Sequence, residues 1–341
     1  MKIAIIGGFG YKKTNGQTVK TNNLCNLLAG NELFKVDTAN WKVHPFSLLI
    51  NIKKAFKLCD IIIMLPAQRG VKVFSKLLVH FNKKYKKKIF YDVIGGWIAN
   101  VLSNNQALRK ALMKFNGILV ETSTMKNKLN ELNLNNVFVV PNYKNILPIE
   151  INDLVLIKPN ENLKLCTFSR ISEKKGITDI INAVKCLYCE GVNVKLDIYG
   201  PIEKEYNEQF YELINENSMF CSYCGIIDSD KSVNVLKEYT LLCFPTKSYT
   251  EGIPGTIIDA YCAGLPVLAS NWESATDVIV DGQTGLLYEF DNFDDLLNKL
   301  FYCVQNIDFI NKMKYNTLLE AVKYSFKNCQ SIIVRCLYGT K

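Results

Sequence analysis

Short apolar, β-branched runs alternate with helix-spaced segments along this chain, and that alternation restricts its fold more than any single motif does. In the first half, residues 2–7, 35–39, 60–65, 88–93, 117–121 and 137–141 read as strands. Between them, residues 18–28, 48–58, 71–81, 106–115 and 124–132 carry apolar side chains at helical spacing. A βα alternation of this kind demands a parallel sheet wrapped by helices. After Pro141-Asn142 comes a segment with Pro148, Pro159 and several Asn, which reads as a linker. The alternation then restarts, with strands at 163–169, 194–199, 220–226, 241–245 and 266–269 and helical patterns opening near Thr178, Glu205, Ser232 and Thr256. We therefore expect two doubly wound, Rossmann-like α/β domains facing a cleft, over residues 1–150 and 151–320. A helical stretch at 321–341 is expected to cross back to the first domain.

The 341 residues include 48% hydrophobic and only 21% charged side chains. A chain of that size buries roughly 75% of its unfolded surface, which excludes a disordered tail or linker protein. No run approaches the roughly 18 to 20 apolar residues of a membrane-spanning helix, and the longest, 61–67, contains Pro66. The apolar start at 3–6 reads as a first strand, so a cytoplasmic protein is expected. Twelve cysteines sit among apolar neighbours, where a free thiol acts as a small buried hydrophobe. Cys186/Cys189 and Cys221/Cys224 have zinc-like spacing, but they fall in a helical pattern and a strand-like run without Gly-rich knuckles, so no metal is expected.

Charge is divided between the halves. Residues 1–150 hold 23 Lys and Arg against 7 Asp and Glu, or +16; the remainder holds 18 against 25, or −7. So basic a half suits an anionic surface such as nucleic acid or a lipid leaflet. Its sharpest piece contains Lys83, Lys84, Lys86, Lys87 and Lys88 around Tyr85, which reads equally as a membrane patch or as a solvated helix end.

The most informative segment is 247–270, where a loop with Glu251, Gly252, Pro254 and Gly255 runs into an apolar helix carrying Thr256 and Asp259. Backbone N–H groups at such a helix start, with the macrodipole behind them, favour phosphate. Pro254 suits the first helical position. A second loop, 168–176, brings Arg170 and Lys175 directly after a strand, where two cations can hold a diphosphate. Each loop taken alone also fits an ordinary charged βα connection.

Together these residues resemble the C-terminal half of family 4 retaining glycosyltransferases of GT-B fold. The resemblance rests on Arg170-x4-Lys175-Gly176, on Glu251-Gly252-x-Pro254-Gly255-x3-Asp259 running into Ala263-Gly264-Leu265-Pro266-Val267, and on Asp281-Gly282-Gln283-Thr284-Gly285. Asn15-Gly16-Gln17-Thr18, Ile94-Gly95-Gly96-Trp97 and Val139-Val140-Pro141-Asn142 are similar to members that build bacterial capsular polysaccharide or exopolysaccharide.

The resemblance implies a hexosyltransferase that moves sugar from a nucleotide diphosphate to a lipid-linked or growing glycan. It implies that Arg170 and Lys175 neutralise the leaving diphosphate, that Glu251 lies near the transferred sugar and that Asp259 holds the ribose. Gly16, Gly200, Gly252, Gly255 and Thr256 would line the donor. It implies no resident cofactor or metal, a UDP-sugar in preference to a GDP-sugar, and no nucleic acid. Separately, the patch from Lys83 to Lys88 is expected to hold the chain peripherally against anionic headgroups on the inner face of the plasma membrane. The chain departs from the family pattern in having Asp259 for Glu, Pro254 for Gly, Pro201 after Gly200, and no His in the stretch holding Asp92, Gly95 and Gly96. Those three are expected to contact acceptor or sugar instead, and His44 and His80 receive no role. Two rivals remain, a nucleotide-sugar epimerase of the same fold and a basic nucleic-acid-binding protein.

Overall fold

The strands of a parallel sheet are covered on both faces, so they read as continuous apolar runs. In the computed structural model, which describes residues 1–10, 16–39, 41, 43–158 and 161–339, the chain forms two compact units. The first comprises Met1–Asn145 and Phe326–Lys341, the second Ile146–Ser325.

The first unit is built on β1 (Lys2–Gly7), β2 (Glu32–Asp37), β3 (Ile61–Met64), β4 (Lys88–Asp92), β5 (Gly117–Val120) and β6 (Val137–Val139). All pair in parallel in the order β2-β1-β3-β4-β5-β6. The chain steps from β1 to β2 on one side and then to β3 on the other, so the loops after β1 and β3 part at a topological switch point. β2 begins at Glu32 rather than at residue 35, because Leu33 and Phe34 take register opposite Ile3 and Ala4. Helices Pro45–Leu58 and Gln68–Tyr85 bury Ile52, Phe56, Val71 and Phe74 on one face of the sheet. Helices Gly16–Leu27 and Phe326–Tyr338 cover the other face with Leu24, Cys329, Ile333 and Leu337. Because that last helix belongs here, the charge division sharpens: this unit holds 26 Lys and Arg against 6 Asp and Glu, or +20, and the second holds 15 against 26, or −11.

The second unit contains β7 (Leu163–Phe168), β8 (Val194–Tyr199), β9 (Cys221–Tyr223), β10 (Leu241–Phe244), β11 (Val267–Ser270) and β12 (Gly285–Tyr288), ordered β12-β11-β10-β7-β8-β9. The sixth of these is a strand the spacing did not predict. It is only four residues long, and it needs glycine at its start: a Cβ on Gly285 would lie 2.1 Å from the Val267 carbonyl oxygen. The switch point falls between β7 and β10, so the loops leaving those two strands flank one crevice.

Among the described residues, no helix is long and apolar enough to cross a membrane. Nor, among them, do three His, Cys, Asp or Glu side chains gather as metal ligands.

Candidate active site

Two loops meet at the switch point of the second unit. The chain leaving β7 passes Arg170, makes a single 3-10 turn at Glu173–Lys175 and enters helix Ile177–Cys189 through Gly176. Gly176 has φ +69°, and a Cβ there would sit 1.9 Å from the Pro245 carbonyl oxygen. Only glycine satisfies both demands, the left-handed conformation and the close backbone approach. Lys247 then ties the loops: its N–H donates to the Lys174 carbonyl at 2.9 Å, and its ammonium reaches Glu173 Oε1 at 3.2 Å and Asp179 Oδ2 at 2.9 Å. Burial pushes the Glu173 carboxyl up, but hydrogen bonds from Thr178 and Lys247 outweigh it and hold the group below its ordinary value.

This juncture brings together Lys175 and Glu251, which are 76 positions apart in sequence. The Lys175 ammonium donates to Glu251 Oε1 and lies 5.4 Å from the centre of the Phe244 ring. Thr246 Oγ1 donates to the same carboxylate oxygen at 3.3 Å, and the Thr246 carbonyl accepts from Ser270 Oγ at 2.6 Å. Both charged side chains are largely enclosed, 24% and 21% exposed, so their geometry is held from several sides. We expect Gly176→Ala to cost at least about 2 kcal/mol, from left-handed strain plus the clash at Pro245. Chemical denaturation should show the fall, and Lys175 should lose its register with Glu251.

Just past Glu251, helix Gly255–Cys262 starts. Pro254 stands one position before the helix rather than at its first residue, with φ −65° and ψ 130°. The first N–H groups of any helix lack intrahelical acceptors. Beside them the Thr256 hydroxyl is buried without a hydrogen-bond partner among the described residues. Gly252 is buried in the loop, and Asp259, one turn into the helix, is only 2% exposed.

Arg170 is placed differently. It pairs with Glu203 at 3.2 Å on the β8 side of the loop, and its side chain is 56% exposed. Gly200 explains the neighbouring backbone: with φ +134° it lets its Cα pass so near Ser169 that a Cβ would lie 1.8 Å from that carbonyl oxygen. The glycine of Gly200-Pro201 is thus required by packing between the ends of β7 and β8.

In the first unit, Gly16 is the first residue of its helix, and among the described residues nothing lies within 4 Å of where its Cβ would be. Asn15 lies outside the described residues. Asp37, at the end of β2, accepts from the N–H of Phe9 at 3.2 Å and of Ala39 at 2.9 Å. Asp92, at the carboxyl end of β4, is buried against Lys20 at 3.1 Å, and Lys20 also reaches Glu121 at 2.7 Å and the Val93 carbonyl at 2.6 Å. Burial raises the Asp92 carboxyl above its ordinary value, against the pull of Lys20. Its Oδ2 has no hydrogen-bond partner among the described residues, and neither has the buried Tyr143 hydroxyl. Gly95 has φ +75° beside Trp97, and Gly96 follows it in the same turn. Of the lysine run, Lys83 and Lys84 end helix Gln68–Tyr85 and Lys86 is its left-handed cap. The Lys87 N–H donates to Asn82 Oδ1 at 2.6 Å and the Lys88 ammonium to the Leu337 carbonyl at 3.3 Å.

Sequence reasoning missed Lys20, Glu121, Thr246 and Lys247. Lys20 left one signal: it shares the stripe of Leu24 and Leu27, a charge on the buried face of its helix. Thr246 and Lys247 left none, because hydroxyls and lysines in βα loops are common.

The chain is 28% identical over 143 residues to the capsular polysaccharide biosynthesis glycosyltransferase CapM of Staphylococcus aureus, covering 41% of this chain and 36% of CapM. It is 23% identical over 235 residues to an uncharacterized glycosyltransferase of Methanocaldococcus jannaschii, covering 67% and 57%. The chain thus spans well under two thirds of the length of these relatives. The structure of Anabaena HepE in complex with UDP superposes with a TM-score of 0.77 at 14% identity, over all of both chains. The two six-stranded parallel sheets and their helices are those of the GT-B fold. The family described as "Glycosyl transferases group 1" matches residues 148–319, the unit that carries Lys175, Glu251 and the helix start at Gly255, and the chain belongs to that family.

Proposed function

We propose that this protein transfers a hexose from a nucleotide-diphosphate sugar, with retention and without a metal ion, onto a lipid-linked or growing glycan in bacterial surface polysaccharide synthesis. The observation that carries the reading is the convergence of Lys175, Glu251 and the helix start at Gly255 and Thr256 on one switch point. HepE, which shares the fold, binds UDP and UDP-glucose. CapM, by its name, serves capsular polysaccharide biosynthesis. UDP-sugars are the favoured donors, and the basic first unit is the acceptor-binding one.

In this reaction the bond between the anomeric carbon and the β-phosphate oxygen breaks, and negative charge spreads over the departing diphosphate. An ammonium and helix N–H groups already in place stabilise that charge more in the transition state than in the ground state. Lys175 exchanges its Glu251 partner for the diphosphate, and the orphaned Thr256 hydroxyl gains an acceptor. Arg170 reaches the same anion by leaving the exposed Glu203, a pair that costs about 1 kcal/mol or less to open. The acceptor hydroxyl attacks on the face the diphosphate leaves, and its proton passes to a phosphate oxygen. Glu251, freed and oriented by Thr246, takes sugar hydroxyls, while Asp259 holds the ribose.

A panel of UDP-, GDP- and ADP-sugars, assayed for transfer to glycolipid extracts and for anomeric configuration by NMR, tests this. We expect sugar transfer from one donor class with the α-configuration of the donor kept. Inverted product, or isomerised sugar nucleotide formed without any acceptor, would contradict it.

A further inference from the structure

The outer face of helices Pro45–Leu58 and Gln68–Tyr85 has no part in the chemistry above, yet its composition is unlike a solvated surface. Phe46, Leu49, Ile50, Lys53, Lys54 and Lys57 follow the spacing of one helical face, so they form a single stripe, apolar over its first turns and basic over its last. Its apolar end is open to solvent: Phe46 is 81% exposed, Ile50 56% and Leu49 41%. The adjoining helix packs against it through Phe81 and Tyr85, whose rings lie 5.7 and 5.8 Å from Phe56. That helix adds Arg69, Lys72 and Lys76 outward, around Val73, which is 44% exposed. Between residues 43 and 88 there are 11 Lys and Arg and a single acidic residue, Asp60, which accepts the Lys2 N–H at 3.1 Å.

We propose that this two-helix face lies flat on an anionic phospholipid bilayer, with Phe46, Leu49 and Ile50 entering the headgroup boundary and the lysines held by lipid phosphates. Charge decides against a second copy of the chain, because two such faces repel. The apolar stripe decides against nucleic acid, whose backbone rewards cations and hydrogen bonds but offers Phe46 and Ile50 no apolar phase. A bilayer surface rewards both. The stripe is also oriented. Helix Pro45–Leu58 follows β2, so Phe46 lies at the end of the sheet where β1, β3 and β4 finish, the edge that carries Asp92 and Gly95. Insertion therefore brings the edge assigned to the acceptor against the membrane. This inference deepens the proposal of a lipid-linked acceptor and rests on it only for that purpose.

The test is flotation of the full chain with vesicles of phosphatidylcholine alone or mixed with phosphatidylglycerol, at low and high salt, without donor or acceptor. We expect binding to the anionic vesicles only, weakened by salt. Phe46→Ser/Ile50→Ser and, separately, Lys53→Ser/Lys54→Ser/Lys57→Ser should each reduce partitioning at least about tenfold. Because these side chains are exposed, thermal unfolding and UDP binding should stay unchanged, which separates failure of this surface from failure of the donor site. Absence of flotation with anionic vesicles overturns the proposal, as does flotation that both variants leave intact. Salt-sensitive binding to tRNA, with no vesicle binding and no effect of Phe46→Ser/Ile50→Ser, would make the face a nucleic-acid surface and overturn it equally.

Discussion

Lys175→Ala is expected to lower kcat by about 10²–10³, the usual effect of losing one preorganised charge-stabilising group at a transition state. The ammonium sits over Phe244 and against Glu251, both at the β10 end, so its position is set before the donor arrives. The fold should survive. The Glu251 side chain left behind is 21% exposed and still accepts from Thr246, so it stays hydrated and partnered rather than buried alone. Steady-state kinetics with whichever donor the nucleotide-sugar panel selects, together with a melting curve, separates the two effects. Glu251→Gln keeps the shape of the carboxylate's neighbours but loosens Lys175. Because the two side chains touch, the double variant should lose less than the sum of the single losses.

Lys20→Met should be the most destabilising single change in the first unit, costing about 3–5 kcal/mol. It removes the ammonium that pairs with both Asp92 and Glu121, side chains only 3% and 4% exposed, and leaves two buried carboxylates confronting each other. At about 2–4 °C of Tm per kcal/mol for a unit of this size, calorimetry should register a fall of about 6–20 °C. Adding Asp92→Asn should recover part of it, since one uncompensated charge then disappears. The pH dependence has a definite sign. Burial raises the Asp92 carboxyl, so the native state keeps a proton there that the unfolded chain releases at ordinary carboxylate pH. The native form binds more protons in that window, and stability falls as pH rises through it. Asp92→Asn should flatten that decline.

The strand-by-strand alternation was legible because parallel strands are buried on both faces and carry little else than aliphatic side chains. Where that rule weakens, reading failed: β12 is four residues with glycine first, and β2 starts with Glu32. The loops at 168–176 and 247–255 were legible as a pair, since glycine, proline and paired charges after a strand have few uses. Their internal pairing was not. Spacing set Arg170 and Lys175 side by side, whereas the Gly176 approach to Pro245 turns Lys175 toward Glu251, and the Gly200 approach to Ser169 turns Arg170's loop toward Glu203. Lys20, Asp92 and Glu121 are separated by up to 101 positions and meet only because β4 and β5 end beside the first helix. The lysine run at 83–88 stood out by density, while the stripe on Pro45–Leu58 needed the knowledge of which helical face is covered.

Calorimetric titration of the full chain and of Lys175→Ala with UDP, UMP and uridine tests most directly whether the second unit holds a diphosphate between the β7 and β10 loops. We predict that affinity drops stepwise as phosphates are removed, and that Lys175→Ala abolishes most of the difference between UDP and UMP. Equal affinity for UDP and uridine, or UDP binding untouched by Lys175→Ala, would contradict the account.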